Sequence, residues 1–334
     1  MADSPVLVLG AGSWGTALAL VLARNGLDTR LWDVDVDHVR ALARERENRR
    51  HLNGIRFPEC LQLCEEPEPV AGTSRDIIVS VPCEALRDVL ARIAGVVHAD
   101  TRFCLACKGL EPDTLMLNHE VVKECLGARA VAVLSGPSFA REVAQGLPTA
   151  VTIAAAQAGT AARFADLFHG DTFRIYTHDD MAGAEVGGAV KNVMAIAAGI
   201  SDGLGFGANA RAALITRGLA EIIRLGTAMG GRPETFMGLA GLGDLVLTCT
   251  DDQSRNRRLG LALARGLSVE AARREIGQAI EGLRTADVVH ELARTRQVDM
   301  PISEQVYRVI HGEVTPQQAV RTLLARERRD EAPG

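Results

Sequence analysis

Three charged residues lie in stretches that are otherwise apolar or rich in glycine. Lys191 falls within "GGAVKNVMAI", Lys108 follows the apolar run "RFCLAC", and Asp244 follows two glycines in "GLAGLGDL". A charge is costly to bury without a partner, so each residue needs either an ion pair or a chemical role. We expect Asp244 to be a buried carboxylate that has a partner and could orient one lysine ammonium group.

Lys191 has two interpretations. If residues 187–196 are helical, Gly187 and Gly188 lie one turn before it on the same face, where we expect them to leave room for a ligand. Burial on such a face favours the uncharged amine, which suits a lysine to proton transfer. The alternative is an ordinary lysine at a helix surface, snorkelling or paired with an acid.

A glycine-rich turn near the N-terminus has the spacing of a dinucleotide-binding loop. "LGAGSWG" places Gly10, Gly12 and Gly15 directly after an apolar run and before a helix-like segment. Glycines in this setting let the backbone approach a pyrophosphate, which binds the free N–H groups of the helix N-terminus. Asp33 ends the second predicted strand, where an acid favours NAD because it would repel the 2′-phosphate of NADP. Nearby arginines, Arg40 and those in 44–50, could offset that preference.

The elements that must position these groups follow a simple order. In the first half, apolar runs such as "VLVLG", "DIIVSVP" and "AVAVLSG" each precede an amphipathic stretch, and after about residue 178 only Ala/Leu/Gly-rich helical segments follow. This order predicts α/β plus all-α architecture. We expect residues 1–180 to form an N-terminal Rossmann-like, doubly wound parallel sheet that binds the dinucleotide, and residues 181–334 to form a C-terminal helical domain for substrate binding and catalysis.

Polar turns follow the predicted strands at the edge where a doubly wound sheet binds its ligands. Lys108 lies in one of them, and "SGPSFA" brings Gly136 and Ser138 into another, with Pro137 suited to a first helical position. In the helical half, "QSRNRR" predicts a helix start with Ser254 as its cap and Arg255 beside it. A helix N-terminus next to a guanidinium is a good receptor for a phosphate monoester.

Composition excludes several classes of protein. The net charge of −5 gives no reason to expect a nucleic-acid partner, and we find no stretch that predicts membrane insertion. Seven cysteines have no framework spacing, and the pair in "CLAC" (104–107) lacks the second pair that a zinc site requires. We therefore expect buried thiols, no metal, and a cytoplasmic protein.

Six blocks of sequence, in order, resemble the bacterial NAD(P)-dependent sn-glycerol-3-phosphate dehydrogenase family. They are "GAGSWGTALA", "KGLEP", "SGPSFA", "GGAVKNV", "FGANARAALITRGLAE" and "GLAGLGDLVLTCTDDQSRNRRLG". The resemblance implies reversible reduction of dihydroxyacetone phosphate to sn-glycerol 3-phosphate for phospholipid synthesis, with NAD or NADP as cofactor and a homodimer as the assembly.

The resemblance also implies roles for individual residues. Lys191 matches the catalytic lysine, which gives a proton in reduction and takes one in oxidation. The implied substrate contacts are Lys108, Gly136, Ser138, Lys191, Asp244, Ser254, Arg255 and Asn256. The implied cofactor contacts are Gly10, Gly12, Ser13, Trp14, Gly15, Asp33, Lys108, Ala140, Arg255, Ala279 and Glu281.

Asp33 departs from the family pattern, since members that use NADP often carry a basic or neutral residue after the same tryptophan. Two other functions remain open at this point. One is a different two-domain dehydrogenase that acts on a β-hydroxyacid or a sugar-acid phosphate. The other is a sensor or scaffold that binds a dinucleotide without turning it over.

Overall fold

The computed structural model describes residues 4–326, which form two compact units. Within these residues, the first unit comprises 4–189 and Met229–Asp244, and the second comprises Val190–Ala228 and 245–326. The division falls inside one long helix, α8, which spans Met181–Gly203. Within the described residues, no helix is long and apolar enough to cross a membrane.

The first unit contains a sheet of eight strands with the order β3-β2-β1-β4-β5-β6-β7-β8. The strands are β1 (Val6–Leu9), β2 (Thr29–Trp32), β3 (Leu61–Leu63), β4 (Asp76–Val79), β5 (Arg102–Leu105), β6 (Ala130–Ser135), β7 (Thr149–Ala154) and β8 (Phe173–His178). Its helices are α1 (Ser13–Arg24), α2 (Val36–Glu45), α3 (Glu68–Ala71), α4 (Leu86–Ile93), α5 (Asn118–Leu126), α6 (Ala140–Gln145), α7 (Ala158–Phe168) and α10 (Pro233–Phe236), with a 3-10 turn at Cys83–Ala85.

Both faces of the central strands are covered, as the uninterrupted apolar runs predict. In β1, Val6 and Val8 belong to one core cluster, whereas Leu7 and Leu9 belong to another on the opposite face. The cysteines of "CLAC" lie in this region: Cys104 and Cys107 are free thiols and both are buried. Burial raises the pKa of Cys104 far above its ordinary value.

Strands β1 to β6 are parallel, but β7 runs antiparallel to β6, and β8 is parallel to β7. The predicted doubly wound sheet is confirmed. The prediction that all its strands are parallel is wrong, because the direction reverses at β7. The connection from β6 to β7 contains only the six-residue α6, which rises about 9 Å. A six-residue strand extends about 20 Å, so α6 is too short to return the chain to the other end of β6.

The second unit is helical. It contains the later part of α8 together with α9 (Gly207–Ala228), α11 (Asp244–Thr250, from Leu245 onward), α12 (Arg255–Ala264), α13 (Val269–Ile276), α14 (Glu281–Arg296), α15 (Pro301–Ile310) and α16 (Pro316–Leu324). The last helix begins with a side-chain cap, since the Thr315 side chain accepts a hydrogen bond from the Gln318 backbone N–H. A π-helical turn, Leu239–Gly243, precedes α11 and belongs to the first unit.

Candidate active site

The glycine turn between β1 and α1 fits a dinucleotide pyrophosphate. A Cβ at Gly10 would lie 2.6 Å from the Ser80 carbonyl oxygen, and one at Gly15 would lie 1.9 Å from the Gly10 carbonyl oxygen. Gly12, in contrast, faces open space, and as the N-cap of α1 it supplies no side chain to the free N–H groups. The helix N-terminus is therefore available to a ligand phosphate.

Asp33 is fixed beside this turn at the end of β2. One of its carboxylate oxygens accepts a hydrogen bond from the Ala11 N–H at 2.7 Å, and the other accepts from the Asp35 N–H at 3.1 Å. Two arginines that could offset its charge are engaged with other acids: Arg40 pairs with Glu65, and Arg50 pairs with Asp35. The surroundings of Asp33 thus keep their negative character.

The two other residues of the turn point in different directions. The Ser13 hydroxyl donates to the His51 carbonyl oxygen at 3.0 Å. The Trp14 ring lies under the Lys108 ammonium nitrogen, 5.8 Å from the ring centroid. The indole Nε1 of Trp14 is buried and has no hydrogen-bond partner among the described residues, so it remains available as a donor to a ligand.

Lys108 is held by two acceptors at the carboxyl end of β5. Its Nζ lies 2.7 Å from a carboxylate oxygen of Asp244 and 2.9 Å from the Gly136 carbonyl oxygen. The Asp244 side chain is only 1% exposed and that of Lys108 13%. The expectation that Asp244 is buried and orients a lysine is confirmed. The pair leaves a fixed cationic group on the rim of the sheet, where a carbonyl or phosphate oxygen could bind.

The "SGPSFA" turn positions the second acceptor of Lys108, the Gly136 carbonyl oxygen. Gly136 has a φ of +141°, and a Cβ there would lie 3.0 Å from the Val151 Cα, which explains the need for glycine. The Ser138 hydroxyl also donates to the Gly136 carbonyl oxygen, at 3.0 Å. The prediction that Pro137 opens a helix is wrong: this hydrogen-bonded turn precedes the helix, and α6 begins at Ala140 after Phe139 as N-cap.

Asp244 is positioned by the π-helical turn, a form of helix that often occurs at functional sites. A Cβ at Gly241 would lie 2.1 Å from the Phe236 carbonyl oxygen, and one at Gly187 would lie 2.6 Å from the Ala240 carbonyl oxygen. Close packing of backbone on backbone therefore fixes the turn whose last residue directly precedes Asp244.

Gly187 and Gly188 do not leave room for a ligand, which corrects our expectation. The backbone of Ala240 takes the space beside Gly187, and a Cβ at Gly188 would lie 2.9 Å from the Ser135 hydroxyl and 3.8 Å from the Lys108 Cγ. The glycines instead allow the first part of α8 to pack on the Lys108 stem. The Ser135 hydroxyl is buried and has no hydrogen-bond partner among the described residues.

In the second unit, Lys191 lies on α8 and is buried, with 7% of its surface exposed. The next residue, Asn192, was not among the predicted site residues, although the Lys-Asn pair is visible in the sequence. Asn192 Oδ1 accepts from Asn256 Nδ2 at 2.8 Å, and Asn256 Oδ1 accepts from the Gly282 N–H at 2.9 Å. Asn192 Nδ2 is left without a partner among the described residues.

The N-terminus of α12 carries the remaining predicted contacts. Ser254 is the N-cap and accepts from the Arg257 N–H at 3.2 Å, so its predicted role as a cap is confirmed. Arg255, one-third exposed, lies 3.7 Å from Glu281, the first residue of α14. Ala279 is exposed in the segment between α13 and α14.

The structure thus brings the predicted residues together in separate groups. Trp14, Lys108, Gly136 and Asp244 form one group in the first unit, while Arg255 and Glu281 form an ion pair in the second. Asp33 lies with the glycine turn. Among residues 4–326, no cluster of three or more His, Cys, Asp or Glu side chains could hold a metal ion.

Comparison with known proteins gives a consistent result. Two family models match the chain: "NAD-dependent glycerol-3-phosphate dehydrogenase N-terminus" over residues 5–161 and the corresponding "C-terminus" over residues 180–321. The chain is 55% identical over 326 residues to the glycerol-3-phosphate dehydrogenase (NAD(P)+) of Nitrosococcus oceani, which covers 97% of this chain and 95% of that protein. It is 53% identical to the enzyme of the same name from Pseudoalteromonas translucida, with 99% of each chain covered.

A solved structure is similar over nearly the whole fold. The crystal structure of glycerol-3-phosphate dehydrogenase from Coxiella burnetii superposes with a TM-score of 0.94 at 50% sequence identity, covering 97% of this chain and 99% of that one.

Proposed function

Because the chain belongs to the NAD-dependent glycerol-3-phosphate dehydrogenase family, we propose that it reversibly reduces dihydroxyacetone phosphate to sn-glycerol 3-phosphate and supplies phospholipid synthesis. The observation that carries this proposal is the buried Lys108–Asp244 ion pair at the carboxyl end of β5. The pair fixes an ammonium group, which has a third N–H to donate, at the edge of the sheet that carries the dinucleotide turn.

The cofactor would be held by the turn between β1 and α1. Gly10, Gly12 and Gly15 bring the backbone close to the pyrophosphate, and Ser13 and Trp14 complete the loop. When bound, the reduced nicotinamide cofactor supplies the hydride. Ala140, Ala279 and Glu281 are the further proposed contacts to it.

Asp33 gives this chain a preference for NAD. Its carboxylate is held by backbone N–H groups, and the neighbouring arginines Arg40 and Arg50 are paired with other acids. A 2′-phosphate would meet this negative charge while Arg40 and Arg50 are engaged with other acids.

Lys191 is the proposed proton donor in reduction and acceptor in oxidation. Hydride transfer to a ketone carbon leaves charge on the oxygen, which must take up a proton. Burial of Lys191 among apolar neighbours on α8 supports this role, because it protects the amine from exchange with bulk water. We expect Lys191→Ala to fold and to lose at least ~100-fold in kcat, as general acid–base groups typically contribute.

Lys108 binds the substrate oxygen while Asp244 fixes its direction. A charge-assisted hydrogen bond from a held ammonium group is stronger and better aimed than one from a mobile lysine. Gly136 and Ser138 would contact the substrate beside it.

The N-terminus of α12 is the proposed phosphate site. Ser254, Arg255 and Asn256 contribute the cap, a guanidinium and an amide next to free backbone N–H groups, and this combination suits a dianionic phosphate. Binding energy from the phosphate then positions the reacting carbon. We further propose that the enzyme works in the cytoplasm as a homodimer.

The test is to follow absorbance of reduced nicotinamide while the purified protein meets dihydroxyacetone phosphate, with NADH and NADPH in separate assays. We expect rapid oxidation, faster with NADH. β-Hydroxyacid precursors and sugar-acid phosphates serve as control substrates. No oxidation of either cofactor by folded protein that binds NADH would refute the assignment, and turnover of a control substrate alone would favour the other dehydrogenase class.

A further inference from the structure

A partly exposed histidine and a buried glutamate form a pair that the proposed chemistry does not use. Glu185 lies on the first part of α8 and is 4% exposed, and His119 lies in the first turn of α5. One Glu185 oxygen accepts from the His119 backbone N–H at 3.0 Å, and the other lies 2.6 Å from the His119 Nδ1. Both carboxylate oxygens are therefore committed to a single residue of α5.

The pair joins two elements that surround Lys108. On α8, Gly188 lies one turn after Glu185 and packs on Ser135 and the Lys108 stem. On α5, Asn118 donates to the carbonyl oxygen of Gly109, the residue that follows Lys108, at 3.0 Å. The first turn of α5 thus holds both the chain that carries Lys108 and the helix that packs against it.

We propose that His119 and Glu185 are positioning residues, which hold α8 against Lys108 and Ser135 and so set the geometry of the reaction. This inference rests on the proposed function for its kinetic consequence. Misplacement of about 1 Å can cost two orders of magnitude in rate.

The pair is also sensitive to pH. Burial raises the pKa of Glu185. Burial opposes protonation of His119, but the hydrogen bond and charge of Glu185 outweigh it and raise the pKa of His119. Two charges of α5 act in addition: Glu120 raises the pKa of both groups, and Lys123 lowers that of His119. Because both pKa values are raised, the two groups hold a proton between them, and its removal leaves a buried carboxylate facing a neutral imidazole.

The first test is amide hydrogen exchange in the ligand-free full-length protein. We expect His119→Ala to speed exchange in the first half of α8 by at least ~10-fold, because the variant loses the charge-assisted hydrogen bond between the imidazole and Glu185 and keeps only the one from the backbone N–H. The matched control is His290→Ala, which breaks a similar pair between His290 and Glu304 on α14 and α15. Unchanged exchange in α8 would overturn the proposal.

The second test is kinetic. His119→Ala should lower kcat about 10-fold when the enzyme concentration is counted as sites that bind NADH. In His119→Asn the side chain can still donate to Glu185 but cannot titrate, and this variant should regain most of the wild-type kcat. The ratio of kcat in His119→Asn to kcat in the wild type should change with pH, since the imidazole proton can be lost only in the wild type. A ratio independent of pH, together with no rescue by asparagine, would reduce the pair to a structural contact and overturn the proposal.

The two failures are distinguishable. If the wild-type protein does not reduce dihydroxyacetone phosphate, the proposed function fails, and hydrogen exchange still decides whether the pair holds α8. If turnover is normal and His119→Ala matches His290→Ala in every assay, only the positioning role fails.

Discussion

Lys108 and Asp244 are separated by 136 positions in the sequence, yet their charged atoms lie 2.7 Å apart in a largely buried ion pair. The lysine follows a strand, whereas the aspartate follows a π-helical turn that returns to the sheet unit. The Asp244 carboxylate is one of two acceptors that hold the ammonium group, and the Gly136 carbonyl oxygen is the other.

Replacing Asp244 with asparagine should impair the reaction more than the fold. Asp244→Asn keeps the side-chain shape but removes the charge that orients Lys108, and we expect kcat/KM to fall by ~10- to 100-fold. Steady-state kinetics with dihydroxyacetone phosphate measures the effect. Glu66→Gln, at an exposed acid, is the control for a general loss of negative charge. A value within twofold of the wild type would show that Lys108 does not need its partner.

The adjacent glycines of α8 should respond differently to alanine. In Gly187→Ala the new methyl group meets backbone at 2.6 Å, whereas in Gly188→Ala it meets the Ser135 hydroxyl at 2.9 Å, which can move. We expect Gly187→Ala to destabilise the protein by about 1–3 kcal/mol, and Gly188→Ala to keep its stability but lose turnover through displacement of Ser135 and Lys108. Thermal unfolding and kcat, measured on both variants, test this contrast, which equal losses of stability would contradict.

Asp180 should make the free energy of unfolding depend on pH in the acidic range. Its burial favours the neutral form, but hydrogen bonds from the Arg232 N–H, the Thr235 hydroxyl and the Gly183 N–H outweigh burial and hold its pKa below the ordinary value. A lowered pKa in the folded state adds stability above the unfolded pKa, and this stability is lost as the pH falls through the folded pKa.

The matching experiment is thermal unfolding of Asp180→Asn and wild type from pH 7 to pH 3. We expect the variant to be less stable at pH 7 by about 1–3 kcal/mol, with the difference shrinking below about pH 4 as the wild-type carboxyl takes up its proton. A difference that stays constant with pH would mean that the charge of Asp180 does not contribute.

A comparison of two serine caps should distinguish a loss of helix stability from a loss of phosphate binding. Ser254 caps α12 and Ser268 caps α13, each accepting one backbone N–H at 3.2 Å. Alanine at either position should cost about 1 kcal/mol, but only Ser254→Ala should raise the KM for dihydroxyacetone phosphate, since α12 is the proposed phosphate site. If Ser268→Ala raised KM equally, the effect would come from the loss of a cap alone.

Much of the fold is predictable from the sequence because long, regular patterns specify it. The apolar strands of the sheet, the glycine turn and the long helices of the second unit all follow from local periodicity. The three-residue strand β3 does not, since only Leu61 of its residues is fully buried. Nor do α10 and the π-helical turn, because "GLAGLG" has no periodic apolar face and its shape depends on contacts with Phe236 and Gly187.

The residues of the candidate site also divide into those that the sequence predicts and those that it does not. Sequence reasoning found Lys108 and Asp244 and expected a partner for the aspartate. It did not find the His119–Glu185 pair, because nothing local to either residue indicates the other. The roles of Gly187 and Gly188 depended on which atoms lie opposite them, and only the tertiary packing supplies that. The boundary at residue 180 stays a prediction, as does the role of each site residue.

Because β7 reverses direction, it extends beyond the carboxyl end of β6 at one side of the sheet. Ser135, the last residue of β6, pairs with Thr152, so β7 begins three residues beyond the carboxyl end of β6, a distance of about 10 Å. β8 extends as far, because Phe173 pairs with Thr149. The extended part of β7 packs beside the turn that carries Gly136, where a Cβ would lie 3.0 Å from the Val151 Cα. A longer α6 would displace β7 from this contact, so we expect the length of this connection to tolerate little insertion.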